Sequence, residues 1–176
     1  MTKTCIALIG FMATGKTTVG KALVNFLGDP YKLVETDQLI IEIAGKSIPK
    51  IFAEDGEKTF REYEVKACRK ASNLQKVVIS CGGGAVLNEI NIKNLKENCY
   101  IVLLNATEEE IYNRAMSDGK ETRPVINKED PKKEIEKVLT YRKPYYEKAA
   151  EFFVETSGKE IKNIVREIAM KTKIKT

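Results

Sequence analysis

The sequence predicts an α/β fold, a single three-layer domain in which helices cover both faces of a five-stranded parallel sheet. Three observations predict it. Short, unbroken apolar runs rich in Val and Ile recur along the chain, as strands buried on both faces require. Amphipathic stretches with helical period separate those runs. The 176 residues hold one sizeable core but are short for two, and no repeat or low-complexity linker divides them.

Taken in order, a strand is expected over residues 4–10, ending in a glycine-rich stretch, with a helix over 16–27. A second strand over 32–36 leads into a helical cluster from 38 to 71. The third strand, 76–81, precedes a helix over 88–97, and the fourth, 99–105, precedes one over 107–116. Residues 117–130 read SDGKETRPVINKED, polar and charged around an Arg-Pro. Compact domains seldom carry such a loop unless it moves or binds something. A helix over 131–149, a fifth strand over 152–156 and a helix over 159–171 complete the chain.

Composition excludes several function classes. Apolar residues make up 43% and charged ones 31%, a globular balance, and no apolar run reaches the length of a membrane span. The N-terminal apolar run passes straight into the glycine motif without a small-residue cleavage pattern. It reads as a strand, and the cytoplasm is the expected compartment. The net charge is +5, from 30 Lys and Arg against 25 Asp and Glu. The lysines are spread along the chain and gather on solvent-facing helical stretches at 128–137 and 159–175. No nucleic-acid partner is therefore expected; a positive balance also suits small anionic substrates. The expected state is a monomer. Histidine is absent, and Cys5, Cys68, Cys81 and Cys99 form no C-x-x-C pair, so a zinc site lacks its usual ligands. Imidazole-based nucleophilic devices are excluded too. The thiols read as buried and reduced, and any general base must be a carboxylate or a lysine.

Gly10-Phe11-Met12-Ala13-Thr14-Gly15-Lys16-Thr17 fits G-x-x-x-x-G-K-[ST] between a strand and a helix. Glycines let the backbone wrap a phosphate with its N–H groups inward, and the helix N-terminus adds the positive end of its dipole. The expected nucleotide contacts are Gly10, Met12, Ala13, Thr14, Gly15, Lys16, Thr17 and Thr18. Lys16 reaches the β- and γ-phosphates of ATP and Thr17 ligates Mg²⁺. An accidental glycine turn is disfavoured because strand, loop and helix are all in register. Asn127-Lys128-Glu129-Asp130 matches the guanine-reading N-K-x-D of GTPases. It follows no buried strand and no D-x-x-G accompanies it, so the match reads as chance.

Glu35-Thr36-Asp37 stands at the carboxyl edge of the second strand, which faces the ligand crevice of such folds. Asp37 can orient or deprotonate an attacking hydroxyl, and Glu35 can hold waters around Mg²⁺. Equally, Thr36 or Asp37 can cap a helix beginning at Gln38. Spacing alone leaves both readings open.

Further motifs follow: Gly56-Glu57-x-x-Phe60-Arg61-x-x-Glu64, Cys81-Gly82-Gly83-Gly84, Arg123-Pro124 and Arg142-x-Pro144-x-Tyr146. In order and spacing, together with the phosphate loop and Asp37, they make residues 6–165 resemble the shikimate kinase family. The resemblance implies a P-loop kinase that uses ATP to phosphorylate the 3-hydroxyl of shikimate, with 37–72 as substrate-binding segment and 117–130 as mobile lid. It implies that Arg61 and Arg142 pair with the substrate carboxylate, which suits the planar two-point donor geometry of guanidinium. Arg61 can alternatively serve helix ion pairs with Glu57 or Glu64. Asp37 would bond the substrate hydroxyls, and Gly82, Gly83 and Gly84 would let backbone approach, with the Gly83 N–H on the carboxylate.

By the same resemblance, Arg123 swings over ATP and neutralises developing charge, Arg114 stacks on adenine, and Ser157 lies in the adenine-side loop. Arg123 is otherwise an exposed loop arginine. The implied catalytic set is Lys16, Asp37 and Arg123, and the implied metal set is Thr17 and Glu35. Phe52 and Phe60 read either as pocket walls or as ordinary core. Two departures stand out. The family usually has aspartate where this chain has Glu35, a carboxylate displaced by ~1.5 Å, and residues 156–159 lack the Arg or Pro common there. The rivals are a gluconate- or nucleoside-monophosphate-like kinase and a catalytically silent ATP-binding protein. The joint presence of Lys16, Asp37, Arg61, Arg123 and Arg142 argues against the silent protein.

Overall fold

The structure, a computed structural model, describes residues 3–117 and 129–174. Strands β1 (Cys5–Ile9), β2 (Lys32–Glu35), β3 (Val77–Ser80), β4 (Cys99–Asn105) and β5 (Phe152–Glu155) form one parallel sheet in the order β2-β3-β1-β4-β5. Ile6 pairs with Val78 on one side and Tyr100 on the other, which places β1 at the centre. Its five residues are all buried, which is why CIALI shows no polar alternation. The two edge strands are only four residues long and partly exposed, a common way to blunt unpaired edges.

Alternate residues of the central strands feed two separate cores. Cys5, Ala7, Ile9, Ile79 and Ile101 pack on one face, against Cys68, Leu95, Ile135 and Tyr146. Ile6, Leu8, Val78 and Val102 pack on the other, against Leu23, Leu27, Ile164 and Ile168. Helices α1 (Lys16–Leu27) and α8 (Ile161–Thr172) thus cover the second face. Helices α4 (Gly56–Ser72), α5 (Glu89–Asn98) and α7 (Pro131–Ala149) supply the first.

The cluster expected over 38–71 resolves into α2 (Thr36–Ala44), α3 (Ile48–Glu54) and α4. These three share a small core of their own, built from Ile40, Ile51, Phe60 and Ala67. Phe60 belongs to that core, while Phe52 stacks on it at a ring separation of 4.5 Å and stays 40% exposed. Helix α2 begins two residues earlier than expected, and the capping reading of Thr36 and Asp37 fails. Glu35 occupies the N-cap position, and no side chain bonds the first turn.

Helix α6 (Glu108–Ser117) ends where the expected lid begins, and residues 118–128 of that lid, Arg123 included, lie outside the described residues. At the far end of the segment, the Asp130 carboxylate accepts the Lys133 N–H at 3.2 Å and caps α7, with Pro131 at the first helical position. The acidic residue of the N-K-x-D run is therefore a helix cap. All four cysteines are buried and reduced. No helix among the described residues is long and apolar enough to cross a membrane.

Ile101 is fully buried at the middle of β4. Ile101→Ala is expected to destabilise the fold by about 2–5 kcal/mol, read as a lower urea midpoint with unchanged slope in far-UV circular dichroism. A midpoint shift within error would contradict the packing described.

Candidate active site

The chain leaves β1 towards β2 and leaves β3 towards β4 on the opposite side, so a crevice opens at the carboxyl ends of these strands. The first wall is the loop after β1. Gly10 adopts φ 143°, and a Cβ there would collide with the Leu104 carbonyl oxygen. Gly15 at φ 91° turns the chain into α1, and Ala13 is also left-handed at φ 59°. The Thr14 hydroxyl is buried and donates to the Phe11 carbonyl at 2.9 Å. The Lys16 ammonium lies over the loop and donates to the Gly10 and Phe11 carbonyls at 2.9 and 2.7 Å. Met12, Ala13, Gly15, Lys16, Thr17 and Thr18 all border a cleft of about 510 Å³, and Glu35, Asp37, Gly82, Gly83 and Arg114 border it too.

At the cleft edge the Thr17 hydroxyl donates to the Glu35 carboxylate at 2.6 Å, with the Ser80 hydroxyl 3.4 Å away. A hydroxyl and a carboxylate so close, beside a phosphate loop, are the hard oxygen donors that Mg²⁺ prefers. The longer glutamate reaches Thr17 in spite of its extra methylene.

Asp37 is exposed as a residue and opens onto the cleft, while its carboxyl end is crowded by neighbouring protein atoms. Burial raises its carboxyl above the usual range; Lys16 pulls the other way and Glu35 adds to the rise. A Cβ on Gly82 would stand 2.7 Å from the Asp37 Oδ1, so the carboxylate would have to move to admit one. The buried Thr36 hydroxyl accepts the Gly82 N–H at 2.8 Å and ties the start of α2 to the glycine turn.

Arg61 and Arg142 converge on that turn from different helices. A Cβ on Gly84 would stand 2.6 Å from the Arg61 Nη1, and one on Gly83 would stand 3.6 Å from the Arg142 Nη1. The same Gly83 position is 3.6 Å from the Gly10 carbonyl oxygen and 3.7 Å from the Met12 nitrogen. Bare backbone thus separates the two guanidinium groups from the phosphate loop. Arg61 donates to both Glu64 oxygens at 3.1 and 3.0 Å and to Glu57 at 3.2 Å. The ion pairs and the site-facing pose therefore coexist, since the pairs aim the guanidinium. The Nε of Arg142 is buried and has no hydrogen-bond partner among the described residues.

On the remaining side, Arg114 donates to the Ala13 carbonyl and the Thr156 hydroxyl at 3.3 and 3.4 Å and pairs with Glu110 at 2.6 Å. Ser157 does not border the cleft; its hydroxyl accepts the Thr107 N–H at 2.8 Å just before α6.

Sequence reasoning missed the supports beneath these groups. Glu64 is 1% exposed, and burial lifts its carboxyl above the usual range despite the Arg61 charge. Asn91 is fully buried and donates to Glu64 at 3.5 Å and to the Ala85 carbonyl at 3.0 Å. The Tyr146 hydroxyl donates to the Gly83 carbonyl at 2.6 Å. The i,i+3 spacing of Arg61 and Glu64 and the Arg142-x-Pro144-x-Tyr146 motif were signals for two of these, though neither assigned the support; nothing local marked Asn91.

A family model described as shikimate kinase matches residues 12–173. A shikimate kinase of Caldanaerobacter subterraneus subsp. tengcongensis is 42% identical over 93% of this chain and 92% of its own. One of Caldicellulosiruptor bescii is 43% identical over 86% and 85%. A solved structure, shikimate kinase from Acinetobacter baumannii in complex with shikimate, superposes with a TM-score of 0.88 at 30% identity, covering 96% of this chain and 92% of that one. With a phosphate loop and an acid in one cleft and two arginines converging on the glycine turn that borders it, the chain belongs to the shikimate kinase family.

Proposed function

We infer that the chain transfers the γ-phosphoryl group of ATP to the 3-hydroxyl of shikimate, giving 3-phosphoshikimate and ADP. One observation carries this reading. Two guanidinium groups meet at a side-chain-free turn that abuts the phosphate loop, and Asp37 stands beside that turn. The solved relative with bound shikimate supports the choice of acceptor.

Each group then has a role. Backbone N–H groups of the loop and of the first turn of α1 bind phosphate, and Lys16 balances its charge. Arg61, Arg142 and the Gly83 N–H hold the acceptor carboxylate, which leaves the hydroxyl facing Asp37. Asp37 orients that hydroxyl and accepts its proton as the phosphoryl group moves. Thr17 and Glu35 would hold Mg²⁺, which, when bound, neutralises charge on the phosphates. Arg114 contacts the adenine side, with Ser157 behind it. We assign Arg123 to the transferring group and residues 117–130 to a lid that excludes water. Residues 37–72 form the acceptor-binding segment of a single domain, and the enzyme works as a cytoplasmic monomer. Most of the acceleration comes from positioning and preset charge.

An ADP-release assay across shikimate, gluconate and nucleoside monophosphates should show turnover with shikimate; turnover with gluconate and none with shikimate would overturn the acceptor. Arg142→Met is expected to raise the KM for shikimate by roughly 10- to 150-fold, the loss of a charge-assisted hydrogen bond, and to change the KM for ATP by less than about twofold. Equal effects on both substrates would remove Arg142 from the acceptor side.

Asp37→Asn is expected to lower kcat by about 10²–10⁴-fold. Its sign in stability is opposite. A carboxyl whose folded pKa is raised binds its proton more tightly in the folded state, so stability falls as pH rises through the shifted range. At neutral pH the uncharged asparagine relieves that cost, and the variant should melt no lower than the parent. On the acid side, kcat/KM should fall as Asp37 takes up its proton, along a limb lying above the ordinary aspartate range. A limb at ordinary aspartate pH, or wild-type kcat in the variant, would remove Asp37 as the base.

A further inference from the structure

Tyr146 lies one turn along α7 from Arg142, is 3% exposed, and donates its hydroxyl to the Gly83 carbonyl at 2.6 Å. Burial pushes its phenol up to about 12, so it is a permanent donor at working pH. The glycine turn it touches has little to hold its shape. Three consecutive glycines have no side chains to pack and can adopt many backbone conformations. Their order comes from hydrogen bonds at fixed points. Thr36 takes the Gly82 N–H at 2.8 Å, the Ala85 N–H donates to the Gly82 carbonyl at 3.0 Å, and Tyr146 holds the Gly83 carbonyl. A trans peptide is planar, with its C=O and N–H pointing in opposite directions. Fixing the Gly82 carbonyl therefore turns the Gly83 N–H away from Ala85. Fixing the Gly83 carbonyl turns the Gly84 N–H away from Tyr146, on the residue against which the Arg61 guanidinium rests.

We propose that Tyr146 is a positioning residue for the acceptor carboxylate, acting through the Gly83–Gly84 peptide; this rests on assigning the glycine turn to the acceptor. Tyr146 makes no contact with substrate. It sets the direction of the Gly84 N–H and, through its own side-chain hydrogen bond with Arg142, keeps that donor in register with the guanidinium. Without the hydroxyl, the Gly83 carbonyl loses its partner and the Gly83–Gly84 peptide can rotate.

The test is calorimetric titration of Tyr146→Phe, which preserves volume, with shikimate, with ADP, and with the shikimate analogue whose carboxylate is reduced to hydroxymethyl. The expected result is a Kd for shikimate weakened about tenfold, the effect of one lost hydrogen bond to a buried group. The Kd for ADP and the already weak Kd for the analogue should each stay within about twofold. A purely structural role would weaken all three alike, or none, and either outcome overturns the proposal. If the parent binds shikimate no better than the analogue, carboxylate recognition at this turn is itself wrong, a failure visible before any variant is made. Should Tyr146→Phe not fold, Tyr146→4-aminophenylalanine keeps a weaker donor. An intermediate loss for shikimate with ADP unchanged supports the proposal, and an unchanged shikimate Kd overturns it.

Discussion

The Arg61 guanidinium rests where a side chain on Gly84 would stand, braced from beneath by the buried Glu64. That contact governs the acceptor half of the molecule. A kinase for a carboxylated alcohol must bring two anions, phosphate and carboxylate, into one cleft against their mutual repulsion. Cations must stand on both sides without touching each other. Here the separator is a strip of backbone, 82–84, thin enough that Arg142 and the Gly10 carbonyl lie at equal distance from the Gly83 Cβ position. A side chain at Gly82 would press on the Asp37 carboxylate, and one at Gly84 on the Arg61 guanidinium.

The same crowding perturbs the acids. Asp37 and Glu64 both have carboxyls raised by burial, and each lies in the field of positive partners that partly offset the rise. They are built for different ends. Glu64 is closed off and already engaged by Arg61 and Asn91, a brace. Asp37 is open to the cleft and lies within the influence of Lys16, which suits an acid that exchanges a proton. Burial pushes the Cys81 thiol, at the cleft wall, up to about 12 and holds it protonated.

The phosphate loop and the five strands were legible in the chain for a common reason. Each rests on local chemistry, a glycine at positive φ or a short apolar run, whereas the two arginines were singled out by the family resemblance. The start of α2 was not legible. Spacing allowed Thr36 or Asp37 to be the cap, and the outcome turned on Gly82, 46 residues away, which took the Thr36 hydroxyl. Arg61 likewise carried two readings that the sequence set against each other and the fold joined.

By itself, then, the sequence determined the sheet, the nucleotide loop and the types of side chain available for chemistry, because periodicity and turn stereochemistry are properties of neighbouring residues. Tertiary structure alone decided which acid is a brace and which is open, where Ser157 faces, and that Tyr146 reaches Gly83 across 63 residues of chain. Burial and hydrogen-bond partnership depend on what another part of the chain brings to the same point in space, and no local pattern carries that information.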